Sequence, residues 1–287
     1  MRKGPLSAAL AALLLAAPLR AQEVKEGAPP VPLTTAGASE PVQPLRFSLA
    51  LDGGAVALSG AAIGLSSLIS VDTSTRWNTQ ILPVDDQLKG RYSARAANLS
   101  DVLLAVDVVS PVALFTGHGF DRETGKRVVI YGETLLAGLA INGVVKSVVG
   151  RPRPYVYSDD PGVAAYASSQ GRDSHLSFYS GHASSTFSAS VAGAYLFAQS
   201  TTDENARAAV WGTELALAGA TADLRTRAGK HFYSDVLVGA TIGSGLGVLI
   251  PYLHGGPKVH LSKLEWLAIV LGPLAGIAVG ELLPVGG

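Results

Sequence analysis

The sequence predicts an all-α fold: a helical bundle of six core helices plus one C-terminal helix, embedded in a membrane. Three observations point there. Seven apolar stretches have helix-like lengths, and none alternates with the period of a half-buried strand. Glycine and proline punctuate the intervals between them. Nearly half the residues (48%) are hydrophobic, 15% are charged and mean hydropathy is +0.31. That is too apolar for an ordinary soluble enzyme and too polar for a typical transporter.

The elements follow in order. Arg2 and Lys3 precede an apolar run at 6–18, and Ala16, Ala17 and Ala21 offer cleavage sites. Residues 1–21 are therefore expected to be a signal peptide, with a short uncleaved anchor as the alternative. Export would place the chain in the cell envelope, at the inner membrane or in the periplasm. Residues 22–45 are rich in Pro and Ala without hydrophobic period, and are expected to form a disordered linker. Residues 46–284 form the helical domain, with its motif-bearing core at 131–253.

The seven stretches run roughly 47–70, 101–116, 128–149, 183–199, 208–224, 234–253 and 264–282. Pro83, Gly117, Gly119, the Arg151–Pro154 run, Gly255, Gly256 and Pro257 separate them. No repeat of fixed period is present. A span needs about 20 mostly apolar residues, which 234–253 and 264–282 supply. The others are more polar: 183–199 is rich in Ser and Thr, 208–224 carries Glu214 and Asp223, and 101–116 carries Asp107. Abundant Gly, Ala and Ser allow close helix packing in lipid, and would also suit a tightly packed periplasmic protein. A cleaved leader starts the mature chain outside. Counting 47–70 as the first span then puts Lys146 and Arg153 in the cytoplasm, whereas export suits an external substrate.

Composition excludes several classes. Formal net charge is zero, which argues against nucleic acid as a partner. The absence of cysteine excludes disulfides, thiolate metal sites, a cysteine nucleophile and a lipoprotein anchor.

Chemistry concentrates in three short stretches. Lys146 lies near the end of the third helix, which Gly150 and Pro152 terminate. A lysine inside an apolar helix is costly without a partner. With Arg153 it could grip a phosphate, the arginine as a planar fork and the lysine as a point charge. Tyr179-Ser180-Gly181-His182 precedes the next helix, whose first N–H groups can bind an anion. Gly181 permits close approach, Ser180 adds a hydroxyl, and His182 is placed to protonate a leaving oxygen. His231 and Asp235 share a helix face, so the carboxylate can orient the imidazole. Arg225 lies six residues before His231. Taken singly, each stretch also fits a basic membrane flank, a helix cap or a surface pair. His182, His231 and Asp235 could ligate zinc, but Lys146, Arg153 and Arg225 would repel a dication. No cofactor or metal ligand is assigned.

Together the stretches resemble the type 2 phosphatidic acid phosphatase and vanadium haloperoxidase superfamily, whose pattern reads KxxxxxxRP, PSGH and SRxxxxxHxxxD. Lys146, Arg153 and Pro154 match the first block, Ser180, Gly181 and His182 the second, and Arg225, His231 and Asp235 the third. Tyr179 stands where the family has proline, and Leu224 where it has serine. Arg151 and Arg227 lie close by, and spacing favours Arg153 and Arg225. The resemblance implies a metal-independent phosphatase in which His231 attacks phosphorus and forms a phosphohistidine. Asp235 orients it, and His182 protonates the leaving group and then activates water. Lys146, Arg153, Ser180, Gly181 and Arg225 bind the phosphoryl oxygens. The substrate would be a phosphorylated lipid or a small phosphomonoester. The alternatives are a vanadate-dependent haloperoxidase, or a decayed site that binds anionic lipid.

Blander expectations cover the rest. His118, His175, His254 and His260 are expected to be solvated. Asp107, Glu133 and Glu214 are expected to pair internally or to face the bundle interior, and Trp77, Trp211 and Trp266 to pack.

Overall fold

The computed structural model describes residues 45–117, 119–256 and 260–285. The expected signal peptide, His118 and all of the expected linker except Leu45 lie outside the described residues. Leu45 itself is buried in a core cluster with Phe115, Ile130 and Tyr131.

The described residues form eight α-helices and no strand. They are α1 (Leu49–Ser66), α2 (Ala94–Thr116), α3 (Arg122–Val149), α4 (Pro161–Ser169), α5 (Gly181–Ala198), α6 (Glu204–Arg227), α7 (Tyr233–Leu253) and α8 (Lys263–Leu282). All seven expected stretches are helical. Three helices start several residues earlier than hydrophobicity indicated, because polar caps begin them. Ser93 accepts from the Ala96 N–H at the head of α2, and Asp121 from the Thr124 N–H at the head of α3. At the head of α6, Asp203 accepts from the Asn205 and Ala206 N–H groups. The short α4 has no apolar stripe and rests on its cap, Asp160, with Pro161 in the first turn.

The long helices alternate in direction. The ends of α1, α3, α6 and α8 meet the starts of α2, α5 and α7 at one end of the bundle. There Ser147 bonds the Ser66 carbonyl, Arg225 reaches Ser100, and Arg227 caps the carbonyls of Gly280 and Leu283. At the other end Arg207 pairs with Glu265, and His254 with Asp52. Helix α5 is central, and its Ala/Ser-rich surface packs against α2, α3, α6 and α7. Small residues let backbones approach. A methyl at Gly243 would strike the Ser184 carbonyl of α5, and one at Gly276 the Ala216 carbonyl of α6.

Among the described residues, five helices are long and apolar enough to cross a membrane: α1, α2, α3 with its following turn, α7 and α8. Helices α5 and α6 fall outside that set and bury the most side chains. As expected, Asp107 and Glu214 turn inward. Ser190 donates to Asp107, and Ser110 donates to Glu214. Trp211 packs in the core, whereas Trp266 is exposed. Two histidines depart from expectation. His175 is buried between the Ser174 hydroxyl and the Thr75 carbonyl, and His254 is ion-paired. Neither is solvated.

Candidate active site

The three motif stretches converge at one end of the bundle. Gly150, in the left-handed region (φ 58), ends α3 just after Lys146 and turns the chain towards Arg153. Lys146 Nζ engages no hydrogen bond or ion pair among the described residues. It sits over the start of α5, where a side chain at Gly181 would meet Asn142 Oδ1 at 2.8 Å and Lys146 Nζ at 3.5 Å. Glycine there leaves the first N–H groups of α5 accessible. Ser180 caps that helix through its oxygen, and its O–H remains able to donate.

The two arginines reach the site from different elements and are nearly buried. Arg153 Nε and Nη2 donate to the Asp173 carbonyl (2.8 Å) and carboxylate (2.7 Å). Arg225 Nη1 donates to Ser100 Oγ at 3.1 Å and Asp101 Oδ1 at 3.3 Å, while its buried Nε makes no hydrogen bond. Lys230 lies against the rings of Tyr155 and Tyr166. Burial, then Arg153 and Arg225, draw its ammonium pKa down to about 8. This excess of cations calls for an anion.

His231 is buried beneath them. Its Nδ1 lies 2.8 Å from the Ser177 carbonyl, which can only accept. Nδ1 therefore carries the hydrogen in the neutral ring, and Nε2 keeps its lone pair. Burial, then Lys146, Arg153 and Arg225, push the His231 pKa well below the usual histidine value. His182, in the first turn of α5, has Nε2 2.7 Å from Asp101 Oδ1. Burial, then Arg225, lower its pKa to about 4 against the opposing pull of Asp101.

Asp235 serves His231 differently from the direct orientation expected. Its Oδ2 is 3.9 Å from His231 Nδ1, beyond hydrogen-bond reach. It accepts instead from Ser177 Oγ (2.5 Å) and the Phe232 N–H (2.9 Å), while Oδ1 pairs with Arg151 (2.6 Å). It thus fixes the backbone on both sides of the imidazole, and the Ser177 carbonyl makes the contact.

Both departures from the motif fall on packing positions. Tyr179 is buried, and its carbonyl accepts from Asn142 Nδ2 at 2.8 Å. Leu224 is buried in an apolar cluster with Ala96, Ala97, Ala228 and Val285.

Sequence reasoning missed Asp101, Asp173, Lys230 and Ser177, and it set Arg151 aside on spacing without assigning it a role. Arg151 is fully buried and pairs with both Asp85 (3.0 Å) and Asp235, beneath the Phe232 ring. With Arg227 engaged by α8, both motif-adjacent arginines are committed to structure. Only the inserted polar turn 83–88, carrying Asp85 and Asp86, hinted at this network.

Residues 127–257 match the family model described as the PAP2 superfamily. No curated protein and no solved structure matches the chain.

Proposed function

The chain belongs to the PAP2 superfamily through residues 127–257, and on that premise we propose that it is a metal-independent phosphatase acting on a lipid-linked phosphomonoester or diphosphate. The observation that carries this is His231. Its Nδ1–H is held by a carbonyl, so the Nε2 lone pair is available beneath a cluster of cations.

In the first step His231 Nε2 attacks phosphorus while the bond to the leaving oxygen breaks. His182 supplies the proton to that oxygen. In the second, His182 takes a proton from water. The hydroxide attacks the phosphohistidine, phosphate departs and His231 is regenerated. Lys146, Arg153, Arg225, the Ser180 hydroxyl and the N–H groups at Gly181 take the charge that builds on the equatorial oxygens. Asp235, Ser177 and Arg151 are positioning residues.

Two features favour a lipid. Five helices are apolar enough for a bilayer. An apolar cleft of ≈ 670 Å³ between α2, α6 and α8 begins at Leu99, beside Ser100 and Asp101, and would receive an aliphatic chain. Export to the cell envelope stays part of the proposal, on the N-terminal sequence.

Phosphate release from lipid and water-soluble phosphates by the detergent-solubilised protein tests this. His231→Ala should abolish turnover, and His182→Ala should lower kcat by about 10²–10⁴. Full activity in either variant would overturn the assignment.

A further inference from the structure

We propose that Asp52, Glu133 and His254 form a binding site for one divalent transition-metal ion, at the bundle end opposite the phosphate pocket. The three residues come from the first turn of α1, the middle of α3 and the C-cap of α7. Each side chain is 10% exposed.

The geometry fits an ion. His254 Nε2 lies 3.1 Å from Asp52 Oδ1 and 3.2 Å from Glu133 Oε2, and all three atoms lie within 4.8 Å of one another. Ligand atoms held at about 2.1 Å from zinc or a similar ion stand roughly 3.0 Å apart in octahedral and 3.4 Å apart in tetrahedral geometry.

Among the described residues these three atoms meet only one another: His254 Nε2 contacts Asp52 Oδ1 and Glu133 Oε2, and an ion between them would replace those contacts. His254 Nδ1 lies 2.8 Å from the Ile250 carbonyl, so Nδ1 is a donor, and in the neutral ring that would bind an ion Nε2 keeps its lone pair. Imidazoles that ligate metals are commonly held this way. Asp52 Oδ2 takes the Ser48 N–H, leaving Oδ1 turned inward. Glu133 Oε2 is buried and makes no hydrogen bond. Three acceptors thus converge on one point.

Charge points the same way. Two carboxylates sit among apolar helices, where uncompensated charge is expensive. A proton on His254 would cancel one of the two negative charges, whereas a dication cancels both. The neighbouring Arg46 is held by its main chain to the His254 carbonyl and packs on Gly255, and it makes no ion pair with the three residues. One imidazole with two carboxylates suits zinc, manganese or iron better than calcium or magnesium.

The ion would be structural. Glu133 is thirteen residues from Lys146 on α3, about 20 Å along the helix, too far to touch the phosphate. Helix α1 packs chiefly along α3, and an ion shared by α1, α3 and α7 would tie it to the bundle. This proposal does not depend on the phosphatase assignment.

The test uses the full chain, untagged, purified in detergent without chelator. Elemental analysis should find about one transition-metal ion per chain, and less than a tenth of that in Glu133→Gln and His254→Gln. Chelator-treated wild type should lose several degrees of thermal stability and regain them with Zn²⁺. It should also bind one Co²⁺ with visible d–d absorption that Zn²⁺ displaces, a readout that does not require the variants to fold. Treated wild type that binds neither Co²⁺ nor Zn²⁺, or Glu133→Gln that retains wild-type metal content, would overturn the proposal.

Discussion

Asp101 Oδ1 stands 2.7 Å from His182 Nε2 and also faces Arg225, so one exposed carboxylate occupies the edge of the site where a phosphoryl oxygen would bind. It does two things at once. It favours the protonated imidazole of His182, and it competes with an anionic substrate for both cations. Asp101→Asn should therefore lower kcat at neutral pH and lower KM together. The pH profile of kcat should shift its limb for His182 to lower pH. Unchanged kcat with a raised KM would show that Asp101 helps bind substrate instead.

Substrate charge should change the protonation of the site. His182, with its pKa lowered to about 4, is neutral in the free protein near pH 6. A bound anion favours the imidazolium and raises that pKa, arming the general acid only when substrate is present. Binding of inorganic phosphate or vanadate at pH 6 should take up a proton. Calorimetry in two buffers of different ionisation enthalpy reads this directly, and proton release would contradict it.

The same histidines set the acid limit of stability. Both have folded pKa values below their unfolded value of about 6.5, so the unfolded chain binds more protons as pH falls. Stability from burying them is complete above that value. For His182 it is lost progressively between about 6.5 and about 4. Thermal midpoints of the wild type should fall across this window. His231→Gln should fall less steeply, and equal slopes would argue against a buried neutral imidazole.

Arg151 should matter for folding more than for binding. It joins Asp85 to Asp235 with no exposure of any of the three side chains. Arg151→Met strands two buried carboxylates, at a cost of about 3–5 kcal/mol. Thermal inactivation in detergent should be markedly faster, with KM little changed in the surviving fraction. A stable variant with raised KM would place Arg151 at the substrate instead.

These residues also show how far the sequence could be read. The bundle was legible because apolar stretches of helical length are hard to mistake. The candidate site was legible as a set because Lys146, Arg153, His182, Arg225, His231 and Asp235 keep fixed spacings, and the fold brings them to one end of the bundle. Helix α4 was hidden because a cap and a proline make it, with no apolar period. Asp101 was hidden because nothing in the α2 sequence says that its first turns meet α5 and α6. Asp235 was picked out by its spacing, but its link to His231 runs through Ser177 and not through a direct hydrogen bond. The Ser177 carbonyl that holds His231 belongs to the backbone and leaves no mark in residue identity. His254 was read as solvated because its partners lie 202 residues away on α1 and far off on α3.

The most direct measurement is a single-turnover experiment with a ³²P-labelled substrate, quenched in alkali to preserve phosphohistidine and mapped by peptide. The account predicts transient label on His231 alone, stable to alkali, lost in acid and absent from His231→Ala. Turnover with no covalent label and with inversion of configuration at phosphorus would mean that water attacks directly, and would contradict it.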